Sequence, residues 1–300
     1  MKQPMVNAAS TVQLDWRNKT KAYFELLKFR LSLLVAFSCA FGYTLASHTD
    51  LNWIILLSLT FGGFLLSGAS VALNQVLERD FDKIMSRTQS RPLPTGRLSV
   101  NESIIFSIGC LVLSLVILWL STNVLTVVLS FISMVLYVFV YTPLKRVGPI
   151  AVFVGAFPGA LPPLLGWIAY RGSITYEALI IFGIQFIWQF PHFWAIAWVA
   201  DDDYKKAGFK LLPYGGKKDH NTAIQIMTYT LFLLPLGLLP AWIGLTGINS
   251  AVVATLCGTG FLASTFSLMK TGSNQSARRI MFGSFLYLPM VQISYLLDKV

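Results

Sequence analysis

Charged side chains are scarce in this sequence. Only 12% of its 300 residues are Asp, Glu, Lys or Arg, while 55% are hydrophobic and the mean hydropathy is +0.65. A soluble domain carries roughly 25% charged residues. This scarcity excludes an ordinary soluble protein and predicts one that lies in a membrane.

Metal-ligand cysteine patterns and targeting peptides are also missing. Cys39, Cys110 and Cys257 lie in separate apolar runs without the spacing of metal ligands, so we expect small buried residues. Residues 1–28 contain neither the apolar core of a cleaved signal peptide nor the Arg-rich, acid-poor pattern of a transit peptide. These absences favour the cytoplasmic (inner) membrane of a bacterium, with residues 1–28 as a cytoplasmic segment.

Apolar runs long enough to cross a bilayer, about 20 residues each, are abundant. Very short polar turns separate some of them, so neighbouring helices should be antiparallel. We predict an all-α membrane protein, a bundle of about nine transmembrane helices that forms a single domain over residues 29–300. The runs cover residues 31–47, 52–77, 103–121, 123–142, 149–170, 175–198, 224–245, 249–269 and 279–297.

The basic residues are distributed unevenly between the two sides of this topology. The net charge is +10, and every Lys and Arg except Arg171 and Lys299 falls on the side of the N-terminus. Cytoplasmic loops of membrane proteins carry this excess. We therefore predict a cytoplasmic N-terminus. We also expect the partner of this basic protein to be a lipid bilayer and not a nucleic acid.

The densest charge cluster follows the second run, in residues 70–96, SVALNQVLERDFDKIMSRTQSRPLPTG. On a continuous helix Asn74, Glu78 and Asp82 are four residues apart and form one ridge, whereas Asp80 points elsewhere. Carboxylates stacked at a membrane border need a positive partner. The ridge therefore predicts either a salt-bridged helix end or a metal site.

The residues around the ridge fit both alternatives. Arg79 or Lys83 would pair the carboxylates at a solvated helix end. A Mg²⁺ ion instead takes carboxylate and amide oxygens together with phosphate. Arg87 and Arg91 follow in a loop whose prolines prevent a continuous helix. Acids that hold a metal, followed by arginines that clamp an oxyanion, are what a lipid diphosphate requires.

The same residues resemble a known family. Positions 74–82 are similar to the first aspartate-rich motif, N-x-x-x-D/E-x-x-x-D, of the UbiA-type intramembrane prenyltransferases. The pattern M-x-R-T-x-x-R-P-L-P-x-G resembles their protoheme IX farnesyltransferase branch. That branch often has Lys-Pro-Arg where this chain has Lys28-Phe29-Arg30, a departure that concerns the start of a helix rather than chemistry. The resemblance continues through YTPLKR (141–146), GAFPGALPPLLGW (155–167), PHFWAIAW (191–198), DDYKKAGFKLLP (202–213) and RRIMFGSFLYL (278–288).

The resemblance implies transfer of the farnesyl group of farnesyl diphosphate to a vinyl group of haem b (protoheme IX), with addition of water, to give haem O. It also implies Mg²⁺ as cofactor, and haem A synthase or the assembly of a terminal oxidase as a contact. The residues implied as catalytic are Asn74, Glu78, Asp82 and Asp203, and those implied to hold metal are these four with Asp202. Those implied to bind the substrates are Arg87, Arg91, Tyr141, Lys145, Arg146 and His192.

Alternatives stay open for two parts of the sixth run and the loop after it. The superfamily has D-x-x-x-D there, but aligning Asp203 with the second acid leaves Val199 at the first. The number of metal ions is therefore open, with Asp202 as a substitute, and an acidic triplet is also typical of a solvated helix end. His192 is either a hydrogen-bonded packing residue or a contact to the iron or a propionate of haem.

Three other functions compete with haem farnesylation. Prenylation of a quinone precursor is the alternative within enzymes, but the arginine-proline motif argues against that acceptor. A transporter would place polar groups near the bilayer midplane on broken helices. A passive assembly partner of an oxidase would not require the ridge. Acids clustered at one membrane border favour the enzyme.

Overall fold

The structure, a computed structural model, describes residues 16–47 and 50–300, and the regular structure there is helical. A π-helical stretch, Leu136–Tyr141, separates α6 from α7. The helices are α1 (Trp16–Leu26), α2 (Phe29–Ala46), α3 (Trp53–Leu77), α4 (Arg79–Ile84), α5 (Val100–Ser121), α6 (Val124–Val135), α7 (Thr142–Leu144), α8 (Ile150–Arg171), α9 (Tyr176–Val199), α10 (Asp201–Lys206), α11 (Pro213–Gly216), α12 (His220–Trp242), α13 (Ile248–Thr271) and α14 (Asn274–Leu297).

The predicted nine spans are confirmed. Within the described ranges, nine helical segments are long and apolar enough to cross a membrane, and the fourth joins α6, the π-helical stretch and α7 into Val124–Leu144. Polar caps explain how such short turns end and restart helices. Asn123, for example, accepts a hydrogen bond from the backbone N–H of Thr126 at 3.0 Å and so begins α6 immediately after α5.

Side chains from neighbouring helices satisfy the backbone that prolines leave open inside the bundle. Pro163 of α8 has no N–H for the carbonyl of Gly159. Gln185 of α9 donates to that carbonyl instead, at 2.8 Å, and accepts from Gln292 of α14 at 2.9 Å. Gln292 also donates to Ser38 of α2 at 3.2 Å. Four helices are thereby tied together where no water is at hand to pair their polar groups.

Helix α1 is part of the predicted 1–28 segment and packs on the bundle. The side chain of Gln75 in α3 donates to the carbonyl of Leu26 at 2.7 Å. Glu25 forms an ion pair with Arg97, at 2.6 Å, and so joins α1 to the loop that follows α4. This end of the molecule carries the predicted site. Residues 1–15 of the segment lie outside the described residues.

Candidate active site

The predicted ridge exists, although the helix that carries it does not run straight through. Helix α3 ends at Leu77 and α4 begins at Arg79, with Glu78 as the residue between them. Two backbone bonds survive the break: Glu78 N–H donates to Asn74 O at 3.0 Å, and Asp82 N–H donates to Glu78 O at 2.8 Å. The spacing of four residues therefore holds despite the break.

The two ridge carboxylates are paired with cations from other segments. Asp82 is fully buried, and its Oδ2 accepts from Arg91 at 2.7 Å. Glu78 Oε1 forms an ion pair with Lys145 Nζ at 2.9 Å. No hydrogen bond to this oxygen is found among the described residues. Burial lowers the pKa of Lys145, but the Glu78 carboxylate outweighs it, and the pKa is raised. The side chain of Lys145 is therefore charged at neutral pH.

Arg79 and Lys83, the ridge partners considered from the sequence, lie elsewhere. Both contact the exposed Asp80, at 3.4 and 3.0 Å. Asp80 therefore points away from Glu78 and Asp82, as the helical spacing predicts. The helix end is therefore salt-bridged through Asp80, while the ridge carboxylates pair with cations from other segments.

A π-helical turn orients the third ridge residue. Thr142 N–H donates to Tyr137 O, the i→i+5 bond of a π-helix, and its hydroxyl donates to the same carbonyl at 2.9 Å. The Thr142 hydroxyl in turn accepts from Asn74 Nδ2 at 2.9 Å. The amide oxygen of Asn74 takes no part in that bond and stays available as an acceptor. π-Helical turns occur often at functional sites.

Lys28 is a site residue that the sequence reasoning missed. It precedes α2 with φ 45°, in the left-handed region that non-glycine residues rarely adopt. Burial, followed by the positive charges of Arg91, Lys145 and Arg87, lowers its pKa to about 7. Four basic side chains thus lie around the ridge. Strained backbone and crowded like charges are typical of a site that binds an anion.

Asp203 binds the backbone of the loop between α4 and α5, residues 85–99, which is called the arginine loop below. Its Oδ1 accepts from the backbone N–H of Ser86 at 3.1 Å and its Oδ2 from that of Arg87 at 3.0 Å, while Lys206 lies 3.2 Å from Oδ1. Desolvation raises the pKa of Asp203, but these donors outweigh it and lower the pKa to about 2. Asp203 is therefore ionised, and it joins α10 to the loop between α4 and α5.

The remaining predicted residues lie at different distances from the ridge. Asp202 is exposed. Tyr141 is buried with its ring 4.7 Å from Lys145 Nζ, so it belongs to the site. The exposed Arg146 lies instead over the Phe81 ring, at 5.0 Å.

The structure places His192 apart from the ridge, between α9 and α14. Its Nδ1 lies 2.8 Å from the hydroxyl of Ser284. His192 lies seven residues before Val199, the last residue of α9, which corresponds to roughly 10 Å of helix, and Asp203 follows on the separate helix α10. Any contact of His192 with a substrate is therefore a contact with a part remote from the ridge.

The donor set of the ridge fits Mg²⁺. Asp82 Oδ1 is buried and has no hydrogen-bond partner among the described residues, so the site offers an unused carboxylate oxygen. Glu78 and Asn74 add a second carboxylate and an amide. No group of three or more His, Cys, Asp or Glu side chains that could hold a metal occurs in residues 16–47 and 50–300. Mg²⁺ characteristically uses one or two carboxylates and completes its shell with phosphate and water.

Comparison with known proteins agrees with this geometry. The model of the UbiA prenyltransferase family matches residues 35–288. The chain belongs to the UbiA prenyltransferase family. Two relatives named protoheme IX farnesyltransferase are similar over nearly their whole lengths. The one from Cytophaga hutchinsonii is 52% identical, with 93% of this chain and 98% of the relative covered. The one from Christiangramia forsetii is 45% identical, with 92% of each covered.

Solved structures of the family share the fold. A structure reported for digeranylgeranylglyceryl phosphate synthase superposes with a TM-score of 0.77 at 21% identity, covering 93% of this chain and 98% of the other. A UbiA homolog from Archaeoglobus fulgidus bound to DMAPP and Mg²⁺ gives 0.67 at 17% identity, covering 91% and 99%. This UbiA family member is accordingly a multi-pass membrane prenyltransferase.

Proposed function

We propose that this chain transfers the farnesyl group of farnesyl diphosphate to a vinyl group of protoheme IX, with addition of water, to give haem O and diphosphate. The names of the Cytophaga and Christiangramia relatives support the two substrates. The observation in the molecule that carries the proposal is the buried Asp82, which has one oxygen on Arg91 and the other unpaired. That arrangement suits a metal diphosphate.

Asn74, Glu78 and Asp82 would hold Mg²⁺ through two carboxylates and an amide oxygen. When bound, the metal neutralises the diphosphate and stabilises its departure. The Mg²⁺ named with the Archaeoglobus fulgidus homolog supports this assignment. Asp203 and Asp202 stay candidates for a second position, because each oxygen of a carboxylate has two lone pairs and can accept more than one bond.

The basic residues would bind the diphosphate oxygens. Arg91 and Lys145 now contact the ridge carboxylates, so they lie within one side-chain length of any phosphate held there. Lys28, in the turn before α2, and Arg87, in the loop between α4 and α5, add charge from two other segments. Oxyanion binding by preformed cations lowers the barrier of the step in which negative charge develops on the leaving group.

The allylic C–O bond then ionises, and a vinyl group of the porphyrin attacks the farnesyl cation through its π electrons. Water captures the carbocation left beside the ring and loses a proton. The rings of Tyr137 and Tyr141, 5.3 Å apart beside Lys145, would cover the reacting end. Their π faces tolerate a passing cation and exclude early attack by water.

Expression in a bacterial host that makes no haem O tests this function. Mass spectrometry of the haem pool should detect haem O with the wild-type chain and with Asp80→Asn, since Asp80 is exposed and lies off the ridge. Asp82→Asn should give none. A folded, membrane-inserted wild-type chain that leaves the haem pool unchanged would contradict the proposal.

The same proposal places the chain in the cytoplasmic membrane of a bacterium, which the bacterial relatives support. It includes hand-over of haem O to haem A synthase or to an assembling terminal oxidase, because a farnesylated porphyrin is too apolar to cross water readily. Co-purification from the same membrane fraction, with an unrelated membrane protein as control, measures that contact.

A further inference from the structure

The imidazole of His192 is held from two sides between α9 and α14. Its Nδ1 lies 2.8 Å from Ser284 Oγ, and its ring stacks on Trp188 with centroids 4.5 Å apart and an angle of 17° between the planes. The indole N–H of Trp188 donates to the carbonyl of Ser284 at 3.0 Å. Ser284 therefore holds the imidazole in two ways: its hydroxyl contacts Nδ1 directly, and its carbonyl fixes the indole on which the ring stacks.

The hydroxyl of Ser284 determines which nitrogen of His192 carries the proton. Ser284 Oγ lies 2.6 Å from the carbonyl oxygen of Met281, an atom that has no hydrogen to give. The single hydroxyl proton of Ser284 must therefore point to Met281. Ser284 Oγ consequently accepts from His192, and the proton of the neutral imidazole sits on Nδ1. Nε2 is left with its lone pair.

That lone pair has no partner within the protein. No hydrogen bond to Nε2 is found among the described residues, although His192 is only 8% exposed. The ring of Phe285, which is 43% exposed, has its centroid 4.9 Å from that of the imidazole, so the imidazole lies one ring away from the outer surface of the bundle. Nε2 is not among the fully buried side-chain atoms of the described residues that lack a hydrogen-bond partner, so part of its surface is accessible to a ligand.

We infer that Nε2 of His192 is the axial ligand of the iron of the haem acceptor and that Ser284 is the positioning residue that fixes its tautomer. This inference rests on the proposed function, in which protoheme IX is the acceptor. Neutral imidazole ligates haem iron, and ligating histidines typically donate their other N–H to an oxygen, as His192 does to Ser284. The iron stays in its oxidation state and no bond other than Fe–N forms.

The depth of His192 agrees with this role. It lies roughly 10 Å from the end of α9, beyond which α10 carries Asp203. Iron held at that depth leaves an edge of the porphyrin to extend towards the ridge, where the farnesyl group is released. The ligand would therefore set how deep the acceptor sits, and hence which vinyl carbon meets the allylic carbon.

The test adds ferric haem to the purified full-length protein in lipid nanodiscs and records the Soret band and the electron paramagnetic resonance spectrum. Wild type should show an imidazole-ligated spectrum, and His220→Ala, at an exposed histidine of α12, should match it. His192→Ala should lose the imidazole spectrum. Ser284→Ala should keep the fold and lower the haem affinity about 10-fold, since outer-shell partners of metal ligands contribute on the order of 10- to 100-fold.

Two further measurements keep the outcome decisive. Free imidazole should restore the ligated spectrum of His192→Ala, which also shows that this variant is folded. Metal-free protoporphyrin IX, followed by fluorescence, should bind wild type and His192→Ala alike because it has no iron to ligate. An unchanged haem spectrum in His192→Ala, with haem O still formed by wild type, overturns the ligand role alone. A wild type that prenylates a phenolic acceptor and never haem overturns the proposed function as well.

Discussion

Replacing Asp82 with Asn separates the two tasks that its carboxylate performs. One oxygen pairs with Arg91 at 2.7 Å and the other is buried without a partner. At an effective dielectric constant of about 20, unit charges this close attract by roughly 6 kcal/mol before desolvation is subtracted. Breaking a buried pair by neutralising one partner typically destabilises by about 3–5 kcal/mol, because the other charge is stranded. Arg91 keeps some contact with solvent, so we expect a loss near 3 kcal/mol.

The same change should nearly abolish catalysis for a different reason. The amide of Asn offers a neutral oxygen where a metal needs a carboxylate. Loss of one electrostatic contact to a developing anion lowers turnover on the order of 10²- to 10³-fold, and we expect at least the upper value. Diphosphate release measures turnover, and thermal unfolding in detergent measures stability.

The double variant Asp82→Asn/Arg91→Gln tells the two effects apart. It removes both members of the buried pair, so much of the lost stability should return while turnover stays absent. Turnover of folded Asp82→Asn within about tenfold of wild type would refute the metal role of Asp82. A double variant no more stable than Asp82→Asn would show that the Arg91 pair does not stabilise the fold as described.

Three other substitutions probe the surroundings. Glu78→Gln should reduce turnover far more than Asp80→Asn, because Asp80 is exposed and lies off the ridge; equal losses would contradict the ridge geometry. Lys28→Gln should raise the KM for farnesyl diphosphate roughly 10- to 100-fold, which is the value of one charged hydrogen bond. The control Lys21→Gln, at an exposed lysine of α1, should leave this KM unchanged. Asp203→Asn should weaken diphosphate binding through the loosened arginine loop. An unchanged half-saturating Mg²⁺ would remove Asp203 from the candidates for a second metal position, and a large rise would identify it as a metal ligand.

Features set by local spacing were accessible from the sequence. Nine apolar runs of bilayer length predicted nine spans, since the hydrophobic thickness fixes the length of a helix that crosses it. The ridge of Asn74, Glu78 and Asp82 followed from a spacing of four residues. It survives the break at Glu78 because the backbone bonds of Glu78 to Asn74 and Asp82 to Glu78 are retained.

Features that depend on distant segments were not accessible. Lys28 precedes Arg91 by more than sixty positions, and only the folded chain brings its charge beside Arg91 and Lys145. The π-helical turn that directs Thr142 to Asn74 has no simple residue signature. The resemblance implies Asp203 as a metal ligand, and its backbone partners in the arginine loop are visible only in the fold.

The most direct test of the central claim is the stoichiometry of the purified wild-type enzyme in nanodiscs with farnesyl diphosphate, Mg²⁺ and haem b. Released diphosphate is measured by a coupled colour reaction, and the haem product by mass spectrometry. We predict one diphosphate released for each haem that gains a farnesyl group and one water, and no release when either Mg²⁺ or haem is omitted. Haem left unmodified, while a phenolic quinone precursor is prenylated at the same site, would contradict it.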